Sequence, residues 1–129
     1  MVLKVEDLDV YKMAEELADK IWYMCIKWDY FAKETIGKQL VRAADSISTN
    51  LAEGHGRFHF KDRLNFCYYA RGSLEETKSW LLKTERRGLM HTENSGIKQL
   101  IEALPKKLNA YISSIKKINP NVKLNARTQ

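Results

Sequence analysis

One row of polar side chains near the middle of the chain has residue types and spacing suited to hydrogen-bond chemistry. Arg42, Ser46, Asn50, Glu53 and Arg57 follow one another at steps of four, four, three and four residues. In a helix, this spacing places all five side chains on one face. Because no catalytic residue type dominates the row, we expect a structural hydrogen-bond network with a neighbouring helix. A ligand-binding or catalytic site and a contact between subunits are the alternatives.

A second candidate for chemistry is the pair Arg86 and His91. Its spacing resembles the arginine and histidine motif of small all-helical ribonucleases of the HEPN group. Histidine exchanges protons near neutral pH and a guanidinium group holds phosphate, so the pair has the parts for RNA cleavage. The motif is short, however, and it falls on a predicted loop beside Gly88. A HEPN-like ribonuclease is therefore the less favoured alternative, and we expect a protein that is not an enzyme.

Metal binding and nucleophilic catalysis have little support in the sequence. His55 and His59 are four residues apart, but Gly56 interrupts the helix they would share, and no third ligand has suitable spacing. Cys25 and Cys67 fall on predicted apolar helix faces, which favours buried reduced thiols over a disulfide or a metal pair. No glycine-rich phosphate loop and no serine-elbow motif occurs. We therefore expect no metal and no cofactor.

Charge is unevenly distributed along the 129 residues, whose net charge is +6. Residues 1–30 carry four Lys and Arg against seven Asp and Glu, whereas residues 93–129 carry seven against two. An acidic beginning and a basic end allow attraction between copies of the chain and contact with a polyanion. No apolar run approaches the ~18 residues that cross a bilayer, and the chain does not begin with a secretory signal. We therefore expect a cytoplasmic protein that does not contact a membrane.

Apolar residues at helical spacing predict four helices separated by short connections. The predicted helices span about residues 8–28, 33–55, 59–87 and 92–118. Short connections make consecutive helices antiparallel, so the predicted fold is all-α, an up-down-up-down antiparallel four-helix bundle over residues 1–118. The predicted apolar stripe of the third helix consists of Leu64, Cys67, Tyr68, Arg71, Leu74, Lys78 and Leu81.

Glycine and proline predict where these helices end or bend. We expect the second helix to end near Gly54 or Gly56 with a glycine in the left-handed conformation. Pro105 is expected to kink the fourth helix or to shift its start. Residues 119–129 are expected to form a disordered tail.

The turn between the second and third helices predicts which residues face each other. If the chain turns back near Gly56, facing residues have numbers that add up to about 114–117. Arg42 then lies opposite Gly72 to Glu75, where the small residues Gly72 and Ser73 let the helices approach closely. Its side chain is expected to reach Glu75 or Glu76. Asn50 is expected opposite residues 64–67. A charged pair between the helices would set their register more than it would add stability, because desolvation offsets the Coulomb gain.

Four ordered sequence blocks resemble one bacterial family of four-helix bundles. The blocks are residues 8–14 (LDVYKMA), 39–57, 70–76 (ARGSLEE) and 87–89 (RGL). They are similar to the proteins encoded in intervening sequences of 23S rRNA genes. The resemblance covers about residues 7–118 and implies a bundle that assembles into a ring, a homopentamer. The family's signature residues correspond here to Arg42, Ser46, Asn50, Glu53, Gly54, Arg57, Arg71, Gly72, Ser73 and Glu75.

The resemblance and the charge together suggest nucleic acid as a partner. The accessory proteins of diversity-generating retroelements are similar in fold, form basic pentameric barrels, and bind nucleic acid and a reverse transcriptase. A basic homo-oligomer of this chain would bind RNA or DNA backbones without base specificity. An interaction scaffold that engages an acidic protein partner is the alternative, since it needs the same cationic surface. The candidate nucleic-acid-binding residues are Lys78, Lys83, Arg86, Arg87, Lys98, Lys106, Lys107, Lys116 and Lys117.

Overall fold

Four antiparallel helices account for most of the chain in a computed structural model that describes residues 4–118. The predicted all-α four-helix bundle is confirmed, and the predicted tail at 119–129 lies outside the described residues. Two short 3-10 turns, Val5–Asp7 and Thr92–Asn94, precede the first and the last helix. The helices are α1 (Asp9–Cys25), α2 (three consecutive pieces, Tyr30–Ala32, Lys33–Gly37 and Lys38–His55), α3 (Phe60–Arg86) and α4 (Ser95–Ile118).

Each helix packs against two others, in the cyclic order α1, α2, α3, α4. The core is formed by apolar side chains at helical spacing, and burying each of its leucines or isoleucines contributes about 1.5–3 kcal/mol. The largest fully buried apolar side chains are Leu17, Ile21, Leu40, Ile47, Leu51, Leu74, Ile97, Leu104 and Leu108. No helix among residues 4–118 is long and apolar enough to cross a membrane.

The inward face of α3 differs from the predicted stripe. Arg71 and Tyr68 are exposed, whereas Thr77 and Thr84 are completely buried. Each threonine hydroxyl donates to the carbonyl oxygen four residues earlier, at 2.7 Å to Ser73 and 2.8 Å to Trp80. Because these hydroxyls are satisfied within their own helix, threonine can occupy core positions. The stripe predicted from the sequence is therefore shifted around α3 toward α4, relative to the face that the structure buries.

The start of α2 also lies earlier than predicted. Asp29 has an extended backbone conformation, and its Oδ1 accepts a hydrogen bond from the backbone N–H of Ala32 at 2.9 Å. This N-cap begins the helix at Tyr30 rather than near residue 33. The helix then passes through one π-type turn, Lys33–Gly37, before it continues as a regular α-helix. The first turn of α2 is thus fixed directly beside the α1–α2 connection.

Glycine ends α3, and it does not end α2 in the way that the sequence suggested. Gly56 has φ −80° and Gly54 lies inside the helix, so the predicted left-handed C-cap at the end of α2 is wrong. The left-handed residue is Gly88, with φ 73°. The backbone N–H of Gly88 donates to the carbonyl oxygen of Glu85, and the backbone N–H of Leu89 donates to the carbonyl oxygen of Thr84. These are the two hydrogen bonds of a Schellman motif.

The helix α4 continues through Pro105 without a break. Proline removes one backbone N–H donor from the helix. Leu104 and Leu108, on either side of Pro105, are buried in the core, and their packing keeps this segment in the bundle. The helix begins at Ser95, so Pro105 does not set its start.

Candidate interaction surfaces

The polar row on α2 forms mainly local hydrogen bonds. The hydroxyl of Ser46 donates to the carbonyl of Arg42 at 2.8 Å, and the Asn50 amide donates to the carbonyl of Ser46 at 2.9 Å. The same amide also reaches the hydroxyl of Ser73 on α3, at 3.5 Å. Asn50 therefore connects the row to the neighbouring helix through a long hydrogen bond.

The close approach of α2 and α3 occurs at Gly54. A Cβ there would lie 2.7 Å from the Cβ of Phe66 and 3.2 Å from the carbonyl oxygen of Arg63, whereas a Cβ at Gly72 would meet nothing within 4 Å. The expectation that Gly72 allows close approach is wrong, because Gly72 faces outward. The register of α2 against α3 also differs from the predicted one, because Asn50 meets Ser73 rather than residues 64–67.

This register also separates Arg42 from Glu75. Arg42 is exposed and forms no ion pair with any residue of the described chain, and Glu75 pairs with Lys78 on its own helix at 3.4 Å. Farther along α2, the Arg57 guanidinium pairs with Glu53 at 3.2 Å and lies 4.9 Å from the ring centre of Phe66. The expected charged pair between helices at Arg42 is therefore absent, and Arg42 belongs to the outer surface.

Two polar contacts between helices had no signal in the sequence. The Arg71 guanidinium on α3 donates to Oδ1 of Asn109 on α4 at 2.7 Å. The hydroxyl of Ser48 on α2, which is buried, donates to Oε2 of Glu15 on α1 at 2.9 Å. Both pairs join residues 33 or more positions apart, so no local spacing could have indicated them. They fix the register of α3 against α4 and of α1 against α2.

Acidic groups surround that Ser48 contact on the outer side of α1 and α2. Glu15 also accepts a hydrogen bond from the Tyr11 hydroxyl at 3.1 Å. Partial burial and the nearby carboxylates of Glu15 and Asp19 raise the pKa of Asp45. The middle of the α1/α2 side is therefore electronegative.

A shallow apolar groove of about 250 Å³ lies on the same side, at the end of the bundle where α1 meets α2. Trp22 and Ile26 form its apolar part, and both are about half exposed. Lys33, Lys38 and Arg42 line its edge. Lys38 pairs with Glu34 at 2.7 Å. The groove, here called the α1/α2 groove, has an apolar floor and a cationic rim.

A larger groove of about 570 Å³ lies between α3 and α4. Leu81, Ile97 and Ile101 contribute apolar surface, and the side chain of Leu82 is 65% exposed. Its rim carries three acidic and two basic residues: Glu75, Glu85, Glu102, Lys78 and Lys98. Both lysines already pair with acids of the rim, Lys78 with Glu75 and Lys98 with Glu85. The net charge of this α3/α4 groove is negative.

The nine basic residues proposed from the sequence do not form one patch. Lys78 and Lys98 lie on the α3/α4 groove, and Lys107 is 3.9 Å from Asp9 of α1. Lys106 and Lys107 are exposed on the outer face of α4, and the Lys83 ammonium lies 4.6 Å from the ring centre of Trp80. Lys116 and Lys117 are exposed at the opposite end of the bundle from Arg86 and Arg87, about 30 Å away at ~1.5 Å per helical residue. The candidates therefore divide among several surfaces.

The surroundings of Arg86 and His91 do not resemble an enclosed catalytic site. Both side chains are exposed, Arg86 in the last turn of α3 and His91 beyond Gly88. The backbone N–H of His91 donates to Oδ1 of Asn94 at 3.0 Å. Both side chains therefore lie on the surface of the described chain rather than in a pocket.

The two thiols are buried and free, as the sequence predicted. Burial raises the pKa of Cys25 to about 12 and that of Cys67 to about 11. A thiol is a poor nucleophile until it ionises, so both groups are inert near neutral pH. Among residues 4–118, no group of three or more His, Cys, Asp or Glu side chains is arranged to hold a metal ion.

Comparison with known proteins places the chain among proteins of the same architecture. Residues 6–110 match the sequence profile of the 23S rRNA-intervening sequence proteins. A crystal structure at 1.70 Å of a protein with unknown function, from the S23 ribosomal protein family of Bacteroides thetaiotaomicron VPI-5482, has a similar fold. Its TM-score is 0.70 at 22% sequence identity, over 80% of this chain and 97% of that one. No curated protein matches the chain.

Proposed function

The chain belongs to the 23S rRNA-intervening sequence protein family, and we propose that it is a non-catalytic, homo-oligomeric bundle that binds nucleic acid backbones through exposed cations. The observation that carries the proposal is the pair Arg86 and Arg87. Both are exposed, and neither pairs with an acid in the part of the chain that the structure describes. Unpaired arginines bind phosphate oxygens well because their guanidinium groups are always charged and weakly hydrated.

Assembly would repeat this cationic site. The α1/α2 groove and the α3/α4 groove lie on opposite sides of the bundle, because the helices pack in the cyclic order α1 to α4. They also lie at the same end, where the indole N–H of Trp28 donates to the carbonyl of Leu89 at 3.2 Å. Two such surfaces can contact each other in neighbouring copies without a shift along the bundle axis.

The two grooves are complementary in charge and in apolar surface. The rim of the α1/α2 groove is cationic and that of the α3/α4 groove is anionic on balance, so opposite charges would meet. Trp22 and Ile26 of one copy would cover the exposed Leu82 of the next. A contact between two different surfaces is heterologous, and it closes into a ring when the rotation allows. Five copies, the number that the family resemblance implies, would carry five times +6.

Light scattering behind size exclusion, with and without mixed-sequence RNA, tests this function. We expect a mass near 75 kDa, five times 15.0 kDa, that gains RNA at low salt and releases it at physiological salt. RNA recovered from the complex should be uncleaved. A 15 kDa monomer that ignores RNA would refute the proposal, and binding that does not change with salt would refute its phosphate basis. Capture of an acidic protein with no affinity for RNA would favour the scaffold alternative.

A further inference from the structure

The end of the bundle that carries Arg86 and Arg87 is built from two connections held together. The indole N–H of Trp28, in the α1–α2 connection, donates to the carbonyl of Leu89, in the α3–α4 connection. The side chain of Trp28 is only 9% exposed, so this bond is partly shielded from water. Tyr30 and Phe31 follow Trp28 by two and three residues, and Arg87 and Arg86 precede Leu89 by two and three. The bond therefore keeps these two short segments at the same end of the bundle.

Two aromatic side chains project from this end. Tyr30 and Phe31 are each 77% exposed, and they occupy the first turn of α2. Exposing so much aromatic surface costs free energy that burial in the core would recover, about 25 cal/mol per Å². The Asp29 cap and the following π-type turn hold these two residues in a helical segment rather than in a loose loop. Their positions are therefore fixed while their rings remain accessible.

Cations flank these rings from both connections. Lys27 and Lys33 lie within three residues of Tyr30 and are exposed. Arg86 and Arg87 are exposed at the end of α3, three and two residues before Leu89, whose carbonyl accepts the Trp28 hydrogen bond. Among the nearby acids, Asp29 is engaged as the helix cap and Glu34 pairs with Lys38. The local charge is thus positive around two stacking surfaces.

We infer that this end of the bundle, here called the aromatic end, binds single-stranded nucleic acid. Accessible bases would stack on Tyr30 and Phe31, while the cations would hold the adjacent phosphates. In a duplex the bases are already stacked and paired, so a duplex would gain the phosphate contacts alone. Stacking and phosphate contacts do not read the 2′-hydroxyl, so RNA and DNA of one sequence should bind alike. This inference rests on the proposed function and adds the class of nucleic acid to it.

The test compares two double variants that each remove one tyrosine and one phenylalanine from the surface. Tyr30→Ala/Phe31→Ala removes the rings of the aromatic end. Phe58→Ala/Tyr69→Ala is the matched control, since Phe58 is 94% exposed in the α2–α3 connection and Tyr69 is exposed on α3. Fluorescence anisotropy would measure the affinity of each protein for labelled strands of about 12 nucleotides, as RNA and as DNA, and for the corresponding duplex. Circular dichroism and light scattering would check folding and mass.

We expect the aromatic-end variant to lose about tenfold or more in affinity for both single strands, because it removes the two rings on which bases would stack. Its affinity for the duplex should stay within about twofold of the unaltered protein, and the control variant should bind all three probes normally. Unchanged single-strand binding by the aromatic-end variant would overturn the inference while leaving the proposed function intact. An equal loss on the duplex, or a change of mass, would also overturn it, because the rings would then serve folding or subunit contact.

A second variant separates the inference from the proposed function. Arg86→Gln/Arg87→Gln should weaken single strands and duplex alike and make the salt dependence shallower, because it removes phosphate contacts and leaves the rings in place. If the unaltered protein binds none of the three probes at low salt, the proposed function fails and the inference fails with it. If the arginine variant binds like the unaltered protein while the aromatic-end variant does not, stacking stands and the assignment of these arginines is wrong.

Discussion

Gly54 of α2 and Phe66 of α3 are packed so closely that a Cβ added to the glycine would lie 2.7 Å from the Cβ of Phe66. The added Cβ would also lie 3.2 Å from the carbonyl oxygen of Arg63. This oxygen belongs to the backbone of α3, so rotating a side chain could not relieve that contact. The glycine therefore sets the distance between these two helices at the end where they connect. Gly72, in the middle of α3, has open space where its Cβ would be.

Replacing each of these glycines by alanine should give effects of opposite sign. Gly54→Ala should lower the free energy of unfolding by about 1–3 kcal/mol, the usual cost of overpacking. Gly72→Ala should raise it by about 0.5–1 kcal/mol, because alanine loses less backbone entropy in a helix interior. Urea unfolding at one protein concentration measures both. Equal effects of the two substitutions would contradict the packing difference.

The sequence contained enough information to predict the helices and not enough to predict how they face each other. Apolar spacing predicted all four helices within a few residues, because helical periodicity is a local property. The register of α2 against α3 depends on contacts between residues distant in sequence, such as Gly54 with Phe66, and the spacing of the row from Arg42 to Arg57 does not encode them. The same limit explains why Gly72 rather than Gly54 was expected at the close approach.

The candidate site was predicted in part for a similar reason. Arg86 and Arg87 were recognised from charge, but charge alone could not show that Lys78, Lys98 and Lys107 have acidic neighbours on the folded surface. The exposure of Tyr30 and Phe31 follows from the Asp29 cap and from Trp28 filling the core beside them. An apolar dipeptide in a sequence predicts burial unless such a cap is recognised.

The thiols should be inert in the folded protein. Burial raises the pKa of Cys25 to about 12 and that of Cys67 to about 11, so almost no thiolate is present at pH 8. Iodoacetamide should leave both thiols of the native protein unmodified and modify both after unfolding in urea. Mass spectrometry of the intact chain counts the modified groups. Rapid labelling of either thiol in the native protein at pH 8 would contradict its burial.

The pH dependence of stability should reveal the crowded carboxylates at Asp45. Burial and the charges of Glu15 and Asp19 raise its folded-state pKa above 3.8, so the folded protein binds the proton more tightly than the unfolded chain does. This group therefore destabilises the fold above its folded-state pKa, and the penalty disappears as the pH falls through that pKa toward 3.8. Asp45→Asn should stabilise the protein at pH 7 by about 0.3 kcal/mol and should lose this advantage in acid. Glu93→Gln, at an exposed position in the α3–α4 connection, is the control, and an equal gain there would contradict the assignment.

The contact between the two grooves can be tested with complementary variants, each of which disables one groove. Ile26→Glu adds an acid to the apolar part of the α1/α2 groove, and Leu82→Glu adds one to the α3/α4 groove. Both positions are exposed in the single chain, so each variant should fold and remain a 15.0 kDa monomer by itself. An equimolar mixture should form a heterodimer of twice that mass, because each variant keeps the groove that the other has lost. If either groove instead bound the same groove of another copy, the variant that keeps that groove intact would still dimerise alone. That result would contradict the proposed contact between the α1/α2 groove and the α3/α4 groove.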